Sequence, residues 1–199
     1  LSQRYSGSTL LSFLLATHPD ISTIGERRKF YNKSLRSKEF AHHKAKHCSC
    51  GALFETCPYF NTIKERVLAR IDPAVLSSNT TEFHIFKNKY LNRIAYEIIQ
   101  LAALGYPKSQ HLPFQNKIDK LGYFNQTLVE EILELDQTKA FLDTSKIINH
   151  ALFLSMVAAF DFYVIWLVRD PRAQVNSAIK YNDWSIEKAT KAWKKEMVE

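Results

Sequence analysis

The feature that most constrains the fold is a run of seven apolar residues, 162–168 (FYVIWLV). A continuous apolar run of this length, without polar alternation, is typical of a strand that is covered on both faces. Asp170 and Pro171 follow it, and this pair favours the start of a helix because Asp is a good N-cap and Pro a good first helical residue. A buried strand leading directly into a helix is the building unit of parallel α/β sheets.

The same alternation of strands and helices extends along the rest of the chain. Residues 20–25 (DISTIG) and 139–143 (KAFLD) are predicted as further strands. Helices are predicted over residues 8–18, 61–71, 91–104, within 117–135, over 147–160, after Pro171 and over 185–198. The first of these helices is apolar on nearly every face, so we expect it to be buried. The predicted fold class is α/β, with three α/β/α layers around a central parallel sheet.

Composition supports one globular domain over residues 1–199, with an insertion at about 27–60 and a helical segment at about 61–138. The longest apolar runs are too short to span a bilayer, so no transmembrane segment is predicted. The formal charge of +7 favours an anionic ligand, but no aromatic-interleaved RNA motif accompanies the basic residues, and no nucleic-acid partner is predicted. Three closely spaced cysteines form a poor disulfide framework, which favours a cytoplasmic setting; a Golgi-lumenal or membrane-anchored full-length protein is the alternative.

The first of four polar segments is residues 4–9 (RYSGST), a tight turn that follows the end of a predicted strand at residues 1–3 and opens a helix. The first N–H groups of a helix are unpaired and attract anions, and the Ser and Thr hydroxyls add further donors. The segment lacks the Gly-Lys-Ser/Thr of a Walker A loop. It predicts a phosphate-binding turn, with a simple Ser/Thr-capped core helix as the alternative.

The second polar segment contains Glu26, directly after the strand over residues 20–25. The carboxyl ends of parallel strands open on one edge of a sheet, where ligands bind. We expect this strand to lie near the one that leads into the Arg4 turn, so that Glu26 serves as a general base beside the anion. The alternative is a surface carboxylate in the charged run 26–29 (ERRK).

The third polar segment is residues 141–146 (FLDTSK), again just after a predicted strand. Lys146 is long enough to reach a phosphate or a developing negative charge. The alternative is a helix N-cap at Thr144 or Ser145, followed by a solvated lysine.

The fourth polar segment joins Arg169, at the end of the apolar run, to Ser177 about two turns into the following helix. An Arg fork with a nearby hydroxyl is typical of a phosphate-monoester site. The alternative is a structural role, with Asp170 capping the helix and Arg169 in a salt bridge. All four segments follow predicted strands, and this agreement favours one anion-binding edge.

The order of RYSGSTLL, HPDISTIGE, CSCGALFETCPYF, FLDTSK and VIWLVRDPRAQVNSAIK resembles the sulfotransferase family, which uses 3'-phosphoadenosine 5'-phosphosulfate (PAPS). It is most similar to bacterial members and to the carbohydrate and tyrosylprotein branches. The resemblance implies the P-loop-NTPase-like sulfotransferase fold, apparently truncated at both ends, and transfer of a sulfonate to a hydroxyl or amine of a small-molecule, carbohydrate or peptide acceptor. It further implies 3',5'-ADP as product and no required metal.

The resemblance also assigns roles to individual residues. It implies that Arg169 and Ser177 bind the 3'-phosphate. It also implies that the turn and the first helical residues bind the 5'-phosphosulfate: Arg4, Tyr5, Ser6, Gly7, Ser8, Thr9 and Leu10. Glu26 resembles the catalytic base of the tyrosylprotein branch, and Lys146 a basic residue near the transferring sulfonate. Tyr5 stands where the family usually has a basic residue, with Arg4 one step earlier. If Glu26 is not the base, His18 or a histidine between 42 and 47 is the second choice.

Two other function classes are alternatives to a sulfotransferase. A P-loop-like nucleotide kinase would need a phosphate-binding lysine and a magnesium partner, and Tyr5 and Ser8 supply neither. A non-catalytic nucleotide- or polyanion-binding module would keep the fold without the chemistry. Cys48, Cys50 and Cys57 lack the usual C-x2-C spacing of a zinc site. A compact turn without metal is therefore the favoured interpretation of these cysteines, with zinc or a redox role as alternatives.

Overall fold

The computed structural model describes residues 2, 4–27, 30, 47–72, 85–86, 88–105, 114–157 and 159–198. Most of the predicted insertion, with His42 and His43, lies outside the described residues. In chain order the elements are α1 (Ser8–Leu15), β1 (Ile21–Ser22), α2 (Pro58–Arg70), α3 (Lys89–Ala103), α4 (Gln115–Asp136), β2 (Ala140–Phe141), α5 (Ile148–Val157), α6 (Pro171–Asn182) and α7 (Ile186–Val198).

The described structure is mostly helical and contains a small parallel sheet, so it combines the two element types of an α/β protein. Strands β1 and β2 pair in parallel, with Ile21 opposite Ala140 and Ser22 opposite Phe141. A separate parallel bridge joins Ser2 to Leu167. Both parallel pairings lie just before polar segments that the sequence singles out.

The apolar run 162–168 differs from its prediction as a doubly covered strand. Its side chains are largely exposed, with Tyr163 at 86% and Trp166 at 74%. A central strand forms hydrogen bonds with neighbouring strands and has other elements packed on both faces. Within the described chain, the run pairs only through the single bridge at Leu167. Helix α1 was likewise expected to be buried, but Phe13 is 66% exposed, because the α1 residue that reaches the interior is the polar Ser12.

The core is built around the 22-residue helix α4, which takes part in both apolar clusters. Its carboxyl-terminal part packs Phe124, Leu128 and Ile132 against α2. Its amino-terminal part packs Ile118 and Leu121 among residues of α3 and α5. The same helix contacts β1 and β2, so the ends of these strands are fixed against the best-packed part of the molecule.

Candidate functional site

The turn before α1 contains two residues with a positive φ angle. Gly7 is the N-cap with φ of 93°, and Tyr5 also has a positive φ, 59°. The first intrahelical hydrogen bond runs from Leu11 N–H to the Gly7 carbonyl, so the N–H groups of residues 8–10 have no acceptor within the helix. A left-handed tyrosine costs about 1–2 kcal/mol relative to a right-handed one, so other contacts have to hold it.

Those contacts come from residues 169–182, at the other end of the chain. The Arg169 guanidinium donates a hydrogen bond of 2.8 Å to the Tyr5 carbonyl oxygen. The Tyr5 ring stacks on that of Tyr181, with centroids 6.1 Å apart and planes 3° from parallel. The Asn182 amide donates to the Tyr5 hydroxyl. The structure thus brings together the first and fourth polar segments, 164 residues apart in sequence.

Gln174 is a further support for this turn, and it is buried in the first turn of α6. Its side-chain amide donates to the Arg4 carbonyl over 3.3 Å, and its side-chain oxygen accepts from the Trp193 indole over 2.9 Å. One side chain therefore links the turn, α6 and α7. Gln174 is not among the predicted site residues, although Gln174, Ala178 and Tyr181 are spaced as one helix face.

Two hydroxyls assigned to the phosphate site differ in their surroundings. Ser6 is only 5% exposed, and among the described residues its Oγ has no hydrogen-bond partner. A buried hydroxyl normally finds a partner, so Ser6 is suited to a ligand oxygen. Ser177 instead donates to the Ala173 carbonyl over 2.9 Å, one turn earlier in α6.

The start of α6 behaves as the sequence predicts, because Asp170 caps the helix by accepting from the Arg172 N–H over 2.8 Å. The Asp170 carboxylate also binds the Arg172 guanidinium at 2.6 Å. Hydrogen bonds from the Arg172 side chain and backbone lower the pKa of Asp170 to about 2. Arg172 is therefore committed to Asp170, whereas Arg169 faces the turn.

The second and third polar segments meet where β1 and β2 end. The pairing continues past the strands through a hydrogen bond of 3.1 Å from Thr144 N–H to the Gly25 carbonyl. Arg27 then binds Asp143, with its Nε 3.1 Å from one carboxylate oxygen and its backbone N–H 3.2 Å from the other. The Arg27 guanidinium also donates to Asn125 on α4. These contacts fix the backbone on both sides of Glu26.

The Arg27–Asp143 pair is the main electrostatic feature of this region. Arg27 is fully buried, and the Asp143 side chain keeps 21% of its exposure. Burial alone raises the pKa of Asp143, but the Arg27 charge and the hydrogen bonds from Ser145 and Arg27 outweigh it, so the pKa lies below its usual range. No sequence pattern indicates this pair, because Arg27 stands in the charged run 26–29, which is typical of a solvated surface.

Glu26 and Lys146, the two residues assigned to catalysis, are both partly exposed. They lie in the segments after β1 and β2, which the Arg27–Asp143 pair joins. The strand before Glu26 was expected beside the strand that leads into the Arg4 turn. Within the described residues β1 instead pairs with β2, the strand that leads to Lys146. The four segments therefore meet as two pairs, Arg4–Thr9 with Arg169, and Glu26 with the segment of Lys146.

Comparison of the chain with models of protein families, with curated proteins and with solved structures gave no match. None of the helices in the described ranges combines the length and apolar character needed to cross a bilayer.

Proposed function

We propose that the protein is a PAPS-dependent sulfotransferase with a P-loop-like α/β architecture. The observation that carries the proposal is the hydrogen bond from Arg169 to the Tyr5 carbonyl oxygen. The two halves of the family's nucleotide pattern are far apart in sequence, and their contact is required if one ligand is to bridge them. If the likeness of the two short motifs were due to chance, they would not have to be in contact in the folded chain.

The residues of the turn fit the phosphates of the nucleotide. Ser6 offers a buried Oγ without a partner in the described chain, and the N–H groups of residues 8–10, which have no acceptor within the helix, follow it in sequence. Helix N-termini of this kind bind phosphate and sulfate through N–H groups and the helix dipole. Arg4 is exposed at the same turn and adds a full positive charge.

The far end of the nucleotide is assigned to Arg169 and Ser177. Arg169 is exposed and can bind a phosphate monoester with the N–H groups that Tyr5 does not use. Ser177 has to release the Ala173 carbonyl before its hydroxyl can donate to a phosphate. Such bonds to the preceding turn contribute little to helix stability, so the rotation is inexpensive.

PAPS supplies the sulfonate, and the chain supplies orientation and proton transfer. Glu26 accepts the proton of the acceptor hydroxyl or amine, while Lys146 and the α1 terminus stabilise the charge that develops on the leaving phosphate. The buried pair of Arg27 and Asp143 holds the backbone of both catalytic segments. This chemistry requires both pairs of segments to face one ligand.

The direct test is transfer of a labelled sulfonate from PAPS to a panel of sugars, phenols, tyrosyl peptides and lipids. We expect label in at least one acceptor class with the parent protein and at least a hundredfold less with Glu26→Gln. Tight 3',5'-ADP binding without transfer to any acceptor would favour the non-catalytic binding module. Absence of both transfer and binding would exclude the sulfotransferase.

A further inference from the structure

The three cysteines form a cluster, although one lies nine residues from the first. The Sγ atoms of Cys48, Cys50 and Cys57 all lie within 4.8 Å of one another, and those of Cys50 and Cys57 are 3.6 Å apart. All three are free thiols. This is the one group of three or more His, Cys, Asp or Glu side chains in the described residues with ligand atoms so close.

A tight turn produces the cluster. Cys48 N–H donates to the Ala52 carbonyl over 2.8 Å, and Gly51 N–H donates to the Cys48 carbonyl over 2.9 Å. Gly51 has a positive φ of 86°, which the turn requires and which glycine adopts without strain. Cys57 is the N-cap of α2 and is buried in the core cluster around α4. The turn thus lies over a thiol that is itself fixed by the core.

The spacing of the thiols fits a tetrahedral ion better than a disulfide. Zinc–thiolate bonds of about 2.3 Å place neighbouring sulfurs of a tetrahedron about 3.8 Å apart, close to the 3.6 Å between Cys50 and Cys57. A disulfide needs about 2.05 Å and joins only two sulfurs, so one thiol of the cluster would be left over. The C-x-C spacing that argued against zinc is accommodated by the turn at Gly51.

We propose that Cys48, Cys50 and Cys57 bind one Zn²⁺ through three thiolates, with water as the fourth ligand. Cys50 is exposed and gives the ion a path from solvent, whereas Cys57 is buried and anchors the ion to α2. Binding releases the three thiol protons and joins the turn at residues 48–52 to the core. The site is independent of the proposed sulfonate transfer, because its ligands lie outside the four polar segments.

The test uses the whole chain, reduced and freed of metal, and titrated with Zn²⁺ and separately with Co²⁺. We expect one Zn²⁺ per chain by elemental analysis after dialysis, and the absorption bands of tetrahedral thiolate coordination with Co²⁺. Zn²⁺ should raise the melting temperature by at least about 5 °C, since an ion that binds only the folded state stabilises it by mass action.

Cys50→Ser is the informative variant, because Cys50 is exposed and its loss leaves the core intact. It should weaken Zn²⁺ binding at least a hundredfold, while Ser49→Ala in the same turn should leave it unchanged within about threefold. Less than 0.2 Zn²⁺ per chain with the parent protein would overturn the proposal, as would Cys50→Ser binding as tightly as the parent. A Cys50–Cys57 disulfide that forms in air even with Zn²⁺ present would overturn it as well.

Discussion

Arg169 and Tyr5 are joined by a hydrogen bond of 2.8 Å from the guanidinium to the carbonyl oxygen, across 164 residues of sequence. The bond fixes a tyrosine that has a positive φ at the turn before α1. It leaves the arginine at the mouth of the same turn, with N–H groups that Tyr5 does not use. The residue that shapes the turn is thus also the one proposed to bind the 3'-phosphate.

Replacement of Arg169 should reveal that double role. We expect Arg169→Ala to weaken 3',5'-ADP binding by roughly 10- to 100-fold, because one charged hydrogen-bond donor is lost. Arg172→Ala is the matched control, since Arg172 is engaged by Asp170. The affinity of the Arg172→Ala variant for 3',5'-ADP should stay within about threefold of the parent value in calorimetry. Equal losses for both variants would indicate a general charge effect and contradict a specific site.

Replacement of Glu26 should affect turnover and leave nucleotide binding intact. A general base acts in the transition state, so Glu26→Gln should lower kcat by roughly 10²–10⁴. The affinity for 3',5'-ADP should change by less than about threefold. Near-normal turnover with a good acceptor would show that Glu26 is not the base, and the second choice would then be His18 or a histidine between 42 and 47.

Gln174 should matter for the turn although no contact with the nucleotide is assigned to it. Gln174→Ala removes a buried side chain together with its hydrogen bonds to Arg4 and Trp193, which costs about 1–3 kcal/mol of unfolding free energy. We also expect 3',5'-ADP affinity to fall several-fold. Asn176→Ala, at an exposed site on the same helix, should change neither quantity. If Gln174 has only a structural role, Gln174→Ala will lower the free energy of unfolding and leave the affinity of the folded protein for 3',5'-ADP unchanged.

Replacement of Asp143 should destabilise the protein, because Arg27 would keep a buried charge without its counter-ion. We expect Asp143→Asn to lower the free energy of unfolding by about 2–4 kcal/mol, less than for a fully buried pair since Asp143 is partly exposed. Glu97→Gln breaks the exposed pair with Arg93 and should cost less than about 0.5 kcal/mol. Equal effects in urea titrations would contradict a special role for the buried pair.

The same variant should show a characteristic dependence on pH. The folded pKa of Asp143 lies below that of an unfolded aspartate, about 3.9. Its contribution to stability is therefore present above that value and is lost as the pH falls through the folded pKa. The gap between the parent and Asp143→Asn should be full at pH 7 and shrink below about pH 4. A gap that is constant with pH would point to lost packing instead of lost charge.

Local patterns were sufficient to predict several elements. Asp170 and Pro171 start α6 as expected, and α3 begins two residues before the predicted position because Asn88 caps it. Strands β1 and β2 are shorter than predicted but lie inside the predicted ranges. These features depend on neighbours in sequence, which a pattern can represent.

Features that depend on distant partners were not predictable in the same way. The run 162–168 is apolar enough for a central strand, yet cover and pairing decide whether it becomes one. Arg27 stands in a charged run of the kind found on protein surfaces. Its burial becomes clear only from its contacts with Asp143 and Asn125. Likewise, because β1 pairs with β2, Glu26 lies beside the segment of Lys146 instead of the Arg4 turn.

The most direct measurement for the sulfotransferase is calorimetric binding of 3',5'-ADP compared with 5'-AMP. The two ligands differ only in the 3'-phosphate that Arg169 and Ser177 are proposed to bind. We expect 3',5'-ADP to bind more tightly by about 2–4 kcal/mol, for a charge-assisted pair and one hydroxyl bond. Equal affinities for the two nucleotides would contradict the proposed function.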